Sequence, residues 1–150
     1  MGGVVSGDTV SLYSDPSCST PSLRASGVAT SNSIDLTTDS IAVDGTLIFY
    51  ARSVDPAANA SNCSSANVSY TLDTVIPAVT GLSNDTTPRR AQTWNWGCSK
   101  SSCSYSFVVD TMPSTLPTGA FGSTVTAAQS SGDGDYYLHV IARDAAGNSS

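Results

Sequence analysis

The 150-residue chain is short of charge: Asp, Glu, Lys and Arg make up 12% of it, about half of the ~25% usual in soluble domains. It has one lysine, Lys100, and one histidine, His139. With 6 Lys+Arg against 12 Asp+Glu and a net charge of −6, it lacks the basic patch that nucleic-acid binding requires. So little charge also argues against a coiled coil. No apolar run approaches the ~20 residues of a membrane-spanning helix, and no stretch carries a helical period. Catalytic signatures are missing too. There is no Gly-x-Ser-x-Gly elbow and no glycine-rich phosphate loop. His139 sits inside a strand-like run, and the acidic residues are scattered through turn-like segments rather than paired. The expectation is a protein that is not an enzyme.

What the chain does have is hydroxyl groups: 27 Ser and 17 Thr occupy 44 of its 150 positions. It also has four cysteines, Cys18, Cys63, Cys98 and Cys103. An even number in a Ser/Thr-rich, Lys-poor chain implies an oxidising compartment and two disulfides. Zinc is the competing reading. Cys98 and Cys103 are spaced C-x₄-C without a second close pair, which fits structural zinc poorly.

The chain repeats itself. The run Asp44-Gly45-Thr46-Leu47-Ile48-Phe49-Tyr50-Ala51-Arg52-Ser53-Val54-Asp55 lies over Asp133-Gly134-Asp135-Tyr136-Tyr137-Leu138-His139-Val140-Ile141-Ala142-Arg143-Asp144, at an offset of 89. The next residues, Pro56-Ala57-Ala58-Asn59, lie over Ala145-Ala146-Gly147-Asn148 without a gap. Ser11-Leu12-Tyr13-Ser14-Asp15 resembles Ser106-Phe107-Val108-Val109-Asp110 at an offset of 95. A longer loop in the first copy absorbs the difference.

Every patterned segment reads as strand. Leu47, Phe49 and Ala51 alternate with Ile48, Tyr50 and Arg52, and Tyr136, Leu138 and Val140 alternate with Tyr137, His139 and Ile141. Period-two alternation of aromatic and β-branched residues marks half-buried strands. Residues 67–72, 92–96 and 104–109 alternate likewise, and clusters of Gly, Pro, Asn, Asp and Ser separate the runs. Short strands divided by turn chemistry predict an all-β antiparallel β-sandwich. Tyr70-Thr71-Leu72-Asp73 ends one strand before Pro77 opens the next, because Pro suits a strand's start or edge. The junction falls at Asp73, giving units 1–73 and 74–150.

The phrases Asp-Gly-Thr…Phe-Tyr-Ala-Arg, Asp-x-Ala-(Ala/Gly)-Asn, Tyr-Thr-Leu-Asp-Thr…Pro and Gly-Leu-Ser-Asn-Asp-Thr-Thr-Pro resemble those of bacterial immunoglobulin-like repeat domains. Such domains occur in tandem in large secreted or surface proteins and adhesins. The resemblance covers essentially the whole chain. It implies tandem immunoglobulin-like sandwiches on the cell surface or outside the cell, of bacterial or bacteriophage origin. Their partners would be neighbouring repeats or copies of the chain itself. A fold does not by itself license a function.

The phase of the repeat implies that the first copy lacks its opening strands and the second its closing strand. Gly2 lies over Gly97, so residues 74–96 have no counterpart in the first copy; Ser150 lies over Ser61, so residues 67–72 have none in the second. One expectation is a segment of a longer array. The other is that neighbouring chains supply the strands, as in strand complementation, which propagates a filament when the contact does not close.

Within that fold, Cys98 and Cys103 can staple the hairpin between successive strands, and Cys18 with Cys63 can tie the long loop after the first strand to the start of the closing strand. Trp94 and Trp96 share one strand face. Core packing is the plain reading, and a carbohydrate-stacking platform the functional one. In related arrays calcium stiffens domain junctions through carboxylates and carbonyls. Matching positions here are Asp55, Asn59 and Asp73, with Asp144 and Asn148 in the second copy. Turn chemistry accounts for the same residues, since Asp and Asn bond nearby backbone. The acidic run Ser130-Ser131-Gly132-Asp133-Gly134-Asp135 lacks the terminal Glu of a calcium-binding EF-hand loop. Lys–Asn isopeptide bonds stiffen some surface immunoglobulin-like domains, but the one lysine lies in a turn between cysteines. The resulting expectation is a structural spacer, stalk or filament segment without a cofactor. The alternative is an adhesin module that binds a glycan or protein receptor.

Overall fold

The computed structural model describes residues 3–130 and 132–150. Gly2, used above to phase the repeat, and Ser131 of the acidic run lie outside them. The described residues form an all-β chain with antiparallel ladders and one three-residue 3₁₀ turn at Thr20–Ser22. The chain divides into two compact units, Met1–Asp73 and Thr74–Ser150.

The first unit is a four-stranded sheet. Its strands are β1 (Thr9–Tyr13), β2 (Leu23–Val28), β3 (Gly45–Val54) and β4 (Val68–Leu72), in the order β2-β1-β3-β4. β3 divides its pairing: residues 50–54 face β1, and residues 45–49 face β4. Residues opposite one another in an antiparallel pair share a face. Leu12 opposes Ala51, Phe49 opposes Val68 and Leu47 opposes Tyr70, so the alternation in each strand gathers these side chains on one side. Burial along that face is uneven, from 6% exposed at Val10 to 69% at Val68. The irregular chain after β2 folds over part of the sheet, bringing Ile34 and Leu36 onto Gly27. A β-carbon at Gly27 would meet Leu36 Cδ2 at 2.9 Å, so glycine permits that approach.

The second unit contains β5 (Val79–Thr80), β6 (Gln92–Asn95), β7 (Gly97–Cys98), β8 (Cys103–Asp110), β9 (Thr126–Gln129) and β10 (Tyr137–Asp144). β8 and β10 pair along eight residues, Cys103 opposite Asp144 and Asp110 opposite Tyr137. β6 pairs with β9, and β7 with β5. The chain therefore changes partner at Trp96, between β6 and β7. There the indole enters the core with Tyr105 and Ala142, against Val79, Phe107, Ala127, Leu138 and Val140. Trp96 meets Tyr105 edge-on at 6.2 Å between centroids and Phe107 at 5.0 Å. Such aromatic contacts add ~0.5–1.5 kcal/mol beyond the buried area. The packing of this layer on the β8–β10 sheet is consistent with a β-sandwich.

Pairing corrects one expectation. β7 and β8 are not hydrogen-bonded neighbours, since β7 pairs with β5 and β8 with β10. The turn between Cys98 and Cys103 is thus an arch between two ladders rather than a hairpin. Sequence adjacency shows that two strands follow each other, but side-chain burial decides which of them pair.

Candidate functional site

The repeated loop is built twice from the same atoms. In the first unit Asp55 N–H donates to the Asn59 carbonyl at 3.0 Å. The Asn59 N–H and side-chain amide both donate to the Asp55 carboxylate at 2.8 Å. In the second, Asp144 N–H donates to the Asn148 carbonyl at 3.0 Å, and Asn148 returns its N–H at 2.9 Å and its amide at 3.1 Å. The chain then turns back along the strand it has just left. Ser61 donates its N–H to the Ser53 carbonyl, and its hydroxyl accepts the Ser53 N–H. Ser150 does the same with Ala142.

The electrostatics follow from these bonds. The Asn59 amide beside Asp55 holds that carboxyl below its ordinary range. Asp144 is lowered further, to about 2, chiefly by the Lys100 ammonium and then by Asn148. The Asp144 side chain is 3% exposed, and Lys100 Nζ lies 2.6 Å from its Oδ2 while also donating to the Val75 carbonyl. Nothing in the sequence pairs these two residues, which are 44 positions apart.

The calcium candidates of each loop bond within that loop. Asp55 and Asn59 bond each other, and Asp144 and Asn148 bond each other. Asp73 directly follows β4. Both carboxylates of the loops are engaged by local donors, and Asp144 already has a cation beside it. Among the described residues, no group of three or more His, Cys, Asp or Glu is placed to hold a metal ion.

Other acids serve the same purpose. All twelve acidic residues are Asp. Hydroxyls of Ser17, Ser22 and Ser19 hold Asp15 well below the usual carboxylate range. The Thr87 N–H and then Arg89 lower Asp85. The Thr115 hydroxyl, first among several donors, lowers Asp110. His139 donates from Nε2 to the Met112 carbonyl at 2.9 Å and lies 3.5 Å from Asp110 Oδ1. These geometries close turns and strand ends.

The cysteines form two disulfides, Cys18–Cys63 and Cys98–Cys103, and two disulfides are compatible with an extracellular protein. The tryptophans separate. Trp96 is 6% exposed and belongs to the core, whereas Trp94 is half-buried and lines an open recess of about 1050 Å³. Gln92, Tyr136, Tyr137, Leu138 and Arg89 line it as well.

No protein-family model matches the chain, and neither a curated protein nor a solved structure matches it. Among the described residues, no helix is long and apolar enough to cross a membrane.

Proposed function

We propose that the chain is a non-enzymatic extracellular structural segment, a spacer, stalk or filament-forming piece made of tandem immunoglobulin-like units. Assembly proceeds by strand complementation with neighbouring repeats. The recurrence of the Asp–Asn loop and its serine return, bond for bond in both units, is the observation that carries this reading. Tandem reuse of one unit is how extended proteins gain length, and each Asp in these turns has a structural partner. The setting proposed is a bacterial or bacteriophage surface.

Light scattering on the oxidised chain over a concentration series tests it. Open-ended species that grow with concentration and keep their β-structure support the filament form. A constant mass of 15.3 kDa removes that form and leaves the spacer.

The recess beside Trp94, Tyr136 and Tyr137 favours a second reading, an adhesin module. Aromatic faces suit sugar rings. Binding to an oligosaccharide array that is lost in Trp94→Ala supports it.

A further inference from the structure

The six basic residues of the chain occupy unlike surroundings. Arg24 lies in β2, Arg52 in β3 and Arg143 in β10, where a ladder holds the backbone. Lys100 lies in the arch closed by Cys98–Cys103, and its ammonium is engaged by Asp144 and by the Val75 carbonyl. Arg89 and Arg90 stand side by side in the irregular stretch 81–91, which joins β5 to β6. Every residue of that stretch is exposed. Among the described residues, no backbone–backbone hydrogen bond involves residues 82–91. The bonds within the stretch are local: the Asp85 carboxylate accepts the Thr87 N–H at 2.9 Å and the Arg89 guanidinium. An exposed ion pair of that kind holds its partners weakly.

The topology on either side of the arginine pair is equally specific. Residues 74–80 precede it and are anchored in the second unit. Pro77 is fully buried, and Val79 packs on the Trp96 core. Ser99 donates its N–H to the Ala78 carbonyl and accepts the Ala78 N–H on its hydroxyl, both at 2.9 Å. β5 then pairs with β7 through Val79 and Thr80 alone. Neither disulfide spans the arginines, since Cys18–Cys63 lies before them and Cys98–Cys103 after them. A break at this point would leave β5 on the fragment that carries the first unit, with no covalent bond to the rest of the second.

We propose that Arg89-Arg90 is a processing site for a trypsin-type endoprotease, and that the cut turns the covalent link between the first unit and the body of the second into a dissociable joint made by residues 74–80. An arginine guanidinium fits a specificity pocket with a carboxylate at its base. The substrate backbone joins the protease as an added extended strand, which residues 82–91 can do without breaking a ladder. Water adds across the Arg90–Ala91 amide, leaving a carboxylate on Arg90 and an amine on Ala91, and no other co-reactant is needed. The first unit, carrying β5, then separates when Pro77 and Val79 leave the core of the second. The proposal holds whether or not the repeats polymerise.

The test treats the full oxidised chain with dilute trypsin and follows the intact masses of the products. The first cut is expected at the arginine pair. Cuts at Arg24, Arg52, Lys100 and Arg143 should be at least about 100-fold slower, because those bonds reach a protease only through local opening. Arg89→Gln with Arg90→Gln, on an exposed stretch, should remove the early cut and leave the slow ones. The nicked chain is then titrated with urea, without reductant. Its two fragments should part, by light scattering, at a urea concentration at which the uncut chain keeps its tryptophan signal. A first cut at any other basic residue overturns the proposal, as does a double variant cut as fast as the parent. Fragments that part only where the uncut chain unfolds also overturn it, because residues 74–80 are then no weaker a joint than the fold itself.

Discussion

The ammonium of Lys100 lies 2.6 Å from the carboxylate of Asp144 and joins the Cys98–Cys103 arch to the loop that follows β10. Lysine is the first of the groups that lower Asp144. Asp15, Asp55, Asp85 and Asp110 are lowered as well. A carboxyl whose folded pKa is depressed stabilises the fold above its unfolded value, about 3.9, and that stability is lost as pH falls through the folded value. Acid unfolding of the second unit is therefore expected between about pH 4 and pH 2. Both tryptophans lie in that unit, so tryptophan fluorescence, excited where tyrosine does not absorb, reports it alone. Lys100→Met is expected to move the acid midpoint upward, and an unchanged midpoint would show that the pair contributes nothing.

Trp96 holds the second core. Its truncation to Ala removes the contacts with Tyr105 and Phe107, and the expected loss is ~3–5 kcal/mol in denaturant unfolding of residues 74–150. Among the described residues its buried indole N–H has no hydrogen-bond partner. Trp96→Phe thus sacrifices no hydrogen bond and should cost clearly less. Equal losses would place an acceptor on the indole.

The two copies of the Asp–Asn loop differ at one strained position. Ala58 has φ +67°, and its counterpart Gly147 has φ +95°. Left-handed backbone disfavours a β-carbon by ~1–2 kcal/mol. Ala58→Gly should therefore stabilise the first unit by up to about 1 kcal/mol after glycine's greater unfolded-state entropy is subtracted. Gly147→Ala, with open space around its β-carbon, should destabilise the second by a similar amount. Thermal melts of the two variants, which shift in opposite directions, check this.

Reduction should affect the units unequally. Cys18–Cys63 closes a loop with a sequence separation of 45 and Cys98–Cys103 one of 5. In the chain-entropy treatment these are worth about 4 and about 2 kcal/mol. Paired Cys→Ser variants, unfolded in urea, should show the larger drop in midpoint for the first.

Calcium provides a separate check on the loops. The carboxylates of Asp55 and Asp144 already accept bonds from Asn59 and from Asn148 with Lys100. Melting temperatures are expected to be the same in millimolar calcium and in chelator. A calcium-dependent rise that disappears in Asp55→Ala or Asp144→Ala would assign the ion to that loop.

The amino-acid sequence determined what depends on near neighbours. Alternation at Leu47–Ala51 and Tyr136–Val140 placed β3 and β10, because a strand's period of two is written in adjacent side chains. The Asp–Asn loops were equally legible, since their bonds close within four residues. β2 and β9 were not. Leu23-Arg24-Ala25-Ser26-Gly27-Val28 and Thr126-Ala127-Ala128-Gln129 carry little apolar pattern, and they are strands because β1 and β6 pair with them.

Tertiary structure alone decided the remainder. Trp94 and Trp96 share a face and differ by two positions, yet only Trp96 enters the core, because the chain changes partner at that residue. The meeting of Lys100 and Asp144 is likewise a product of which strands lie together. Local sequence selects strand and turn through short-range sterics and hydrogen bonds. Pairing over tens of residues is set by which faces can be buried at once, and that choice is made only in the folded chain.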